Sequence, residues 1–424
     1  MRTLRTGFVH ASLCLQQPIA AITVAIGARH PVTAASGQAC GVEVSGIDHQ
    51  PEALGVLTFA DARADWDALR RSGTSTLYQC PVWTEQFFRH VSAPAGERLL
   101  IVLLRDSAGA PLLLLPLSVT HRQGARVAHF IGGKHSNFNL PLFSPAAQTL
   151  TAYALAKALR QVGQQAGVDV FALLQQPVAW HGVANPLLAL GAAPSSNQGF
   201  KLALDTGELP AFTARLSKNR RRKLQQKRNQ LEKLGPLAYQ RAATTAEAHR
   251  VLEVFLAQKA ERMREQGIAN PFVQPGIPEF LRDAAAVDTN AGKTALEIHY
   301  LTLGSDIIAI YGLLADGDQC SALLTSFGGP PDVIRHGPGL LLLHEIVRDL
   351  CRRGFTQFDM GVGEAAYKAE ICDERIALVD LFVPISARGR LVAGALRLLH
   401  GLKRQIKASA PMMRLVHIIR RART

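Results

Sequence analysis

The 49 residues from Ser326 to Glu374 constrain the fold of this chain more than any other stretch. They read SFGGPPDVIRHGPGLLLLHEIVRDLCRRGFTQFDMGVGEAAYKAEICDE. An apolar run ends in a Gly/Pro loop, and Leu340, Leu343, Val347, Leu350 and Cys351 then recur at helical spacing. Arg352 and Arg353 fall in the last turn of that helix, and Gly354 is placed to end it. Phe355 to Met360 reads as a short strand closed by Gly361 and Gly363. A strand, a Gly-containing loop and a helix start make a place to hold phosphate. The first amides of a helix have no partner inside it, and the peptide dipoles add partial positive charge there. Arg335 and His336 stand at the loop mouth, Gly337 and Gly339 allow close backbone approach, and Pro338 stiffens the turn before Leu340.

At 424 residues the chain is too long for one ordinary core, and two domains are expected. Hydrophobic residues at 48% and charged residues at 19% describe a globular protein, not a disordered one. No apolar run approaches the roughly 18–20 residues of a membrane span. Leu112 to Val119, interrupted by Pro116, reads as a buried strand. The net charge of +14 is concentrated. Arg215, Lys218, Arg220, Arg221, Arg222, Lys223, Lys227, Arg228 and Lys233 crowd one segment against Glu232 alone, and Arg388 to Thr424 holds no Asp or Glu. Such patches suit anionic partners: phosphates, a membrane surface or nucleic acid. Cys14, Cys40, Cys80, Cys320, Cys351 and Cys372 form no C-x-x-C pair and no cluster with His at zinc spacing. No metal is therefore expected, and scattered thiols suit the cytoplasm. Cys372 is the lesser candidate for a nucleophile, an idle thiol being the plainer reading.

Residues 1–52 carry few core signals and read as a poorly ordered extension or an over-long start, with a secretory leader as the lesser alternative. One pattern then runs twice. In the first half, Gly55–Phe59 is predicted as a strand, Asp61–Arg71 and Pro81–Val91 as helices, and Arg98–Leu104 with Leu112–Val119 as a hairpin. A strand at Val127–Ile131, a helix over Leu150–Gln165 and a strand at Asp169–Leu174 follow. In the second half, the matching series is Leu237–Arg241, helices over Thr244–Gln266 and Pro278–Val287, and the hairpin Leu296–Leu303 with Ile307–Leu314. Cys320–Ser326, the Gly339 helix and the Phe355 strand complete it. The expected division is 53–205, 206–385 and a basic helical tail over 386–424, with a basic helix at Leu209–Leu234 as connector.

The loop Arg335-His336-Gly337-Pro338-Gly339-Leu340 resembles, with compressed spacing, the Q/R-x-x-G-x-G/A loop of GNAT-type N-acyltransferases. The succession Pro-Gly-Leu-Leu, helix, Gly-Phe, Phe-Asp-Met-Gly, Gly-Glu-x-x-Tyr-Lys is similar to the CelD-like "cellulose biosynthesis" acetyltransferases, double-GNAT proteins related to the Fem peptidyltransferases. The resemblance spans residues 55–385 and is specific around 335–370. It implies an α/β fold of tandem GNAT-like domains and acetyl-CoA or another acyl-CoA as co-substrate, cradled by Arg335, His336, Gly337, Gly339 and Leu340. It also implies acyl transfer to an amine or hydroxyl of a small-molecule or glycan acceptor, in polysaccharide or envelope biosynthesis. The first half has no matching Gly-rich loop, so the second half is expected to be catalytic and the first to shape the acceptor site. Lys134, His135, Asn137 and Asn139 are the acceptor-binding candidates, although the family pattern places an acidic–aromatic pair where Asn137-Phe138 stands. Two alternatives remain open: a Fem-like aminoacyl-tRNA-dependent transferase, with the Arg215–Lys233 helix on RNA phosphates, and a non-catalytic envelope-assembly factor.

Asp359 lies at the end of a strand beside two glycines, where strand ends in open α/β sheets face the ligand crevice. It could accept a proton from an amine; Glu364 is a lesser candidate. The resemblance gives Lys368 the stabilisation of developing negative charge and Tyr367 the protonation of the leaving thiolate. His336 and His344 are weaker alternatives as bases. In the tail, Leu391, Ala395, Leu398, Leu399 and Leu402 can share a helix face, with Arg397, Lys403, Arg404 and Lys407 on the others. That face either docks on the second domain or lies on an anionic membrane, which would make a cytoplasmic protein peripheral to the bilayer.

Overall fold

Among the described residues, a mixed sheet of 13 strands runs through the molecule. The computed structural model describes residues 51–56, 58–122, 124–204, 216–287, 294–409 and 412. Most of the expected N-terminal extension, Cys14, Cys40 and the last turns of the tail lie outside these residues. The first run of strands is β1 (Glu52–Val56), β2 (Arg98–Arg105), β3 (Pro111–Arg122), β4 (Ala125–Phe130) and β6 (Val170–Pro177), with the two-residue β5 (Leu142–Phe143) on β3. The second is β10 (Leu237–Arg241), β11 (Glu297–Leu303), β12 (Asp306–Asp316), β13 (Gln319–Phe327) and β14 (Gln357–Val362). Both runs are antiparallel except at matching places, β4 with β6 and β13 with β14, which are parallel. A small hairpin, β7 (Ala179–Trp180) and β8 (Val183–Ala184), stands apart.

The helices repeat in step. α1 (Phe59–Ser72) and α2 (Pro81–Phe87) lie between β1 and β2, and α3 (Ala152–Gln165) lies between β4 and β6. After the connector α4 (Lys218–Glu232), α5 (Thr245–Glu265) and α6 (Ile277–Ala285) lie between β10 and β11. The short α7 (Pro331–Ile334) and α8 (Pro338–Arg352) lie between β13 and β14. α9 (Ala366–Ile371) and α10 (Ala387–Ala408) flank β15 (Glu374–Pro384). The chain is thus a mixed α/β fold with the tandem element order expected from its sequence.

Two central strands escaped that expectation, β9 (Ala193–Ala203) and β15. β9 follows β6 in the chain but pairs with β14; β15 follows β14 but pairs with β6; and the two pair with each other. Each run is therefore completed by a strand from the other half.

Some boundaries moved for local reasons. The predicted Gly55–Phe59 strand sits at Glu52–Val56, because Thr58 caps α1 by accepting from the Asp61 amide (3.1 Å). The strand predicted at Phe355 starts at Gln357, because Gly354 and Phe355 end α8: the Phe355 amide reaches back to the Leu350 carbonyl (3.0 Å) with Gly354 at φ 83°.

β11 and β12 are buried on both faces, as strands covered by helices on two sides must be. Leu301, Ile308 and Tyr311 pack with Leu342, Ile346 and Leu350 of α8. Ile298, Tyr300 and Ile310 pack with Val251, Leu252 and Phe255 of α5. The halves meet through helices as well as strands: Phe280 of α6 packs on Trp83 and Phe87 of α2, with ring centroids 4.4 Å and 5.1 Å apart.

α10 docks through Val392, Ala393 and Leu396 against Val127, Val170, Ala172 and Phe382. Its first turn sits so close to the sheet that a Cβ on Gly389 would lie 1.7 Å from the Asp169 carbonyl oxygen. Gly389→Ala must therefore displace the helix start. Hydrogen exchange should show α10 losing protection while β11 and β12 keep theirs; unchanged protection in α10 would contradict this docking.

Candidate active site

The site begins where two parallel strands stop pairing. β13 and β14 are in register only from Gln319–Ser321 with Gln357–Asp359. Beyond that they separate, and Ala322–Thr325 on one side and Met360–Val362 on the other line a cleft of about 230 Å³. Asn137 from the first half enters the gap. Its Nδ2 donates to the Ala322 carbonyl (2.8 Å), and its Oδ1 accepts from the Val362 amide (3.3 Å). Gly361, at φ 75°, makes room: a Cβ there would lie 2.7 Å from Asn137 Nδ2. Trp83, Phe280 and Phe272 supply aromatic walls from both halves.

Lys368 on α9 lines the cleft, with its Nζ 3.4 Å and 3.5 Å from the Val362 and Gly361 carbonyl oxygens. Burial lowers its pKa to about 8, against the pull of Asp359. Tyr367 lines the same cleft and shares a hydroxyl–hydroxyl hydrogen bond with Tyr311. Burial raises the Tyr367 pKa well above the usual phenol value, so it holds its proton.

Asp359 lies behind the cleft wall. Ser321 Oγ donates to one carboxylate oxygen (2.5 Å) and the Gly361 amide to the other (2.7 Å). Tyr78 is 2.7 Å from Ser321 Oγ and accepts from Asn137 Nδ2 (2.6 Å). A directed chain therefore runs from Asn137 through the Tyr78 and Ser321 hydroxyls to Asp359. Burial raises the Asp359 pKa to about 7, although Ser321, Gly361 and Lys368 favour the charged form.

At the far end of β13 lies a cationic corner. Gly337 (φ 65°) caps α8 and Pro338 opens it. Gly339 packs near Phe327, whose ring lies under Arg262 at 4.1 Å. Lys227 of α4 has its Nζ where a Cβ on Gly337 would approach to 3.2 Å. Arg335 Nε donates to His336 Nε2 (3.2 Å). Burial, Arg335 and Lys227 push the His336 pKa below its ordinary value, against the pull of Asp332. Lys259, nearly buried on α5 and 5.8 Å from the Phe272 ring, has its pKa lowered to about 8 by burial and then by Arg262. No cluster of metal-ligating side chains occurs among the described residues.

Residues 218–369 match the family model described as Acetyltransferase (GNAT) domain. The second half of the chain carries a GNAT-type domain. Among solved structures, FemX superposes with a TM-score of 0.55 at 11% identity, covering 81% of this chain and 100% of FemX. L-PGS from Bacillus licheniformis gives 0.47 at 13% identity, covering 81% and 98%. A tandem GNAT protein from the clavulanic acid biosynthesis pathway gives 0.43 at 12%, covering 79% and 99%. The last two superpose too loosely to carry an argument, and at this identity FemX speaks for the fold alone. No curated protein sequence matches.

The GNAT-type domain brings Tyr367 and Lys368 together with Lys134, His135 and Asn137 of the first half around one cleft. Asn139 is elsewhere: it is buried and donates to the Gly133 (3.2 Å) and Leu174 (3.1 Å) carbonyls, holding its loop. His135 is kept neutral, its pKa lowered to about 4 by burial and by Lys134. Arg335, His336, Gly337, Gly339 and Leu340 do not line the cleft but gather at the α8 start. The Cys372 thiol is raised to about 12 by burial, the opposite of what a nucleophile needs. Sequence reading missed Tyr78, Ser321, Tyr311, Lys259 and Arg262. Lys259 and Arg262 did leave a signal, since they follow Phe255 on the apolar stripe of α5 at i+4 and i+7.

Asp359 also makes stability depend on pH. The folded protein keeps this proton up to about pH 7, whereas the unfolded chain releases it near its ordinary 3.8. The contribution is complete below that lower value and is lost as pH rises to about 7. Lys368 acts only higher, between about 8 and its ordinary 10.5. Asp359→Asn should therefore gain on wild type between pH 4 and 7, by at most about 1.4 kcal/mol per pH unit, and level off above. Parallel melting-temperature profiles for the two proteins would refute the buried, proton-holding carboxyl.

Proposed function

We propose that this protein transfers an acyl group from acyl-CoA to an amine or hydroxyl acceptor held between its two halves. The observation that carries the reading is the splay of β13 and β14 in a GNAT-type domain. It opens a cleft holding Tyr367 and Lys368, with a cationic corner at the end of the same strand. The open backbone edge suits an extended thioester arm, and the α8 start with Arg335, Lys227 and Arg262 suits its phosphates. Lys134, His135 and Asn137 border the acceptor side.

The chemistry is direct attack in a ternary complex, since Cys372 is not activated and positioning supplies much of the rate. The acceptor nitrogen or oxygen forms a bond to the acyl carbon as the carbon–sulfur bond breaks. The acceptor proton replaces the one that Tyr367 passes to the departing sulfur, leaving free CoA thiol. Lys368 as ammonium stabilises the negative charge that grows on the carbonyl oxygen. Asp359 acts from behind, through its charge and the Ser321–Tyr78–Asn137 chain. The CelD-like motif succession at 335–370 favours a carbohydrate or envelope acceptor met in the cytoplasm.

A specific observation favours a second donor, aminoacyl-tRNA. Arg221, Arg222 and Lys223 are exposed on α4, one turn before Lys227 at the corner. Calorimetry separates the two. Under the first reading coenzyme A binds, and Arg335→Ala and Gly339→Val each weaken it by about 1–3 kcal/mol. Absent binding of coenzyme A, with salt-sensitive binding of tRNA, would replace the first reading by the second.

The role of Lys368 has its own test. Lys368→Ala should lower kcat about 100-fold or more while acyl-CoA affinity changes little, because it acts on charge that develops only in the transition state. With wild type, turnover should fall as pH rises past about 8 and the ammonium is lost. Wild-type turnover in Lys368→Ala would remove it from the catalytic set.

A further inference from the structure

α10 is apolar on two opposite faces. Val392, Ala393 and Leu396 dock on the sheet. On the other side Leu391, Leu398 and Leu402 stand in register, exposed by 78%, 74% and 42%, with Leu399 beside them at 45%. The helix cannot roll to hide them. Arg388 donates to the Gly124 carbonyl (3.0 Å), Arg397 to that of Phe382 (2.6 Å) and Arg404 to that of Pro194 (3.1 Å). These bonds fix the rotation of the helix and turn Arg397 and Arg404 toward the sheet. Exposed Arg388 and Arg390 flank the leucine row, and no Asp or Glu occurs from Ala387 onward.

Single exposed leucines are ordinary, but a row of them on a helix with only positive charge is a two-part signal. We propose that this face of α10 is a docking surface for an anionic lipid bilayer, the leucines entering the acyl boundary while the flanking cations meet lipid phosphates. A second copy of the chain fits less well. A two-fold contact would set two carboxylate-free cationic helices against each other, whereas an anionic bilayer is complementary in both apolar face and charge. Among the described residues no helix is long and apolar enough to cross a membrane, so the contact is with the surface.

The test uses the full chain and extruded vesicles of phosphatidylcholine, with or without about one third phosphatidylglycerol. Wild type should sediment with the anionic vesicles at low salt and stay in solution with the neutral ones. The triple variant L391Q/L398Q/L402Q should lose at least tenfold in partitioning with an unchanged melting temperature, because these side chains touch solvent already. R390Q should lose severalfold in partitioning and show a shallower salt dependence. Three outcomes would overturn the proposal. The first is wild type that stays in solution with anionic vesicles at low salt. The second is a triple-leucine variant that still binds, which would place the contact elsewhere in the chain. The third is a dimer in sedimentation velocity that the triple variant dissolves, which would give the face to a second copy. None of these depends on whether coenzyme A binds.

Discussion

Where β13 and β14 part, their inner backbone groups lose each other as partners, and a buried amide or carbonyl left alone costs as much as a lost hydrogen bond. Asn137 answers on both sides. One side-chain amide donates to Ala322 on β13 and accepts from Val362 on β14, so the splay is held open by a residue of the other half. Gly361 leaves the room this bridge needs, and Asn139 anchors the same loop from its other side. The same Nδ2 also reaches Tyr78, which orients the hydroxyl chain toward Asp359. The amide can also yield. Were the proposed thioester arm to run along β13, it would compete for the Ala322 carbonyl, and the change would reach Asp359 through two hydroxyl groups.

Charge in and around the cleft is one-sided. Lys134, Lys259 and Lys368 each have a lowered pKa, with burial as the leading cause in every case. A folded chain does not gain stability from cations held this way; burying charge costs unless it is paired. The arrangement makes physical sense for a ligand that brings negative charge of its own or develops it during reaction. Asp359, which does sit near Lys368, is itself raised to about 7, so near neutral pH its proton is shared out and the Lys368 ammonium is only partly offset. That balance keeps Lys368 ionised yet poorly solvated, the state in which a cation acts most strongly on a nearby oxyanion.

The sequence made most of this fold legible, because its strands and helices announce themselves by local period. The hairpins at Arg98–Arg105 with Pro111–Arg122 and at Glu297–Leu303 with Asp306–Asp316 are apolar runs broken by Asp and Gly turns. The helix after Gly337 is read from Pro338, its leucine stripe and Gly354. β9 was missed for a physical reason: its first half, Ala193-Pro194-Ser195-Ser196-Asn197, has neither alternation nor strand propensity, and it is a strand because β14 and β15 need a partner on each side. β15, by contrast, carries a readable apolar stretch from Leu378 to Val383, broken only by Asp380. At the site, the Tyr367–Lys368 pair and the 134–137 loop could be read from their neighbours. Tyr78 and Ser321 could not: they lie 243 residues apart in the chain, and only the closed sheet brings their hydroxyls together.

The exchange of β9 and β15 bears on what the cleft can do. A sheet of two runs that merely abutted would let the halves slide or separate, and residues facing across the gap would lose register with one another. Here each half's last strand is hydrogen-bonded into the other half, and the two exchanged strands are paired between them. Opening the cleft by rigid motion of one half would have to break ladder bonds at the middle of the sheet. The backbone frame of the site is therefore preset, and adjustment to a ligand falls to side chains and to the segments that roof the cleft, Asn270–Gln274 among them. For acyl transfer without a covalent intermediate this is the favourable arrangement. The rate then depends on holding a carbonyl and a nucleophile at near-bonding distance, and a rigid sheet shared by both halves would fix the proposed donor edge and acceptor loop in one frame.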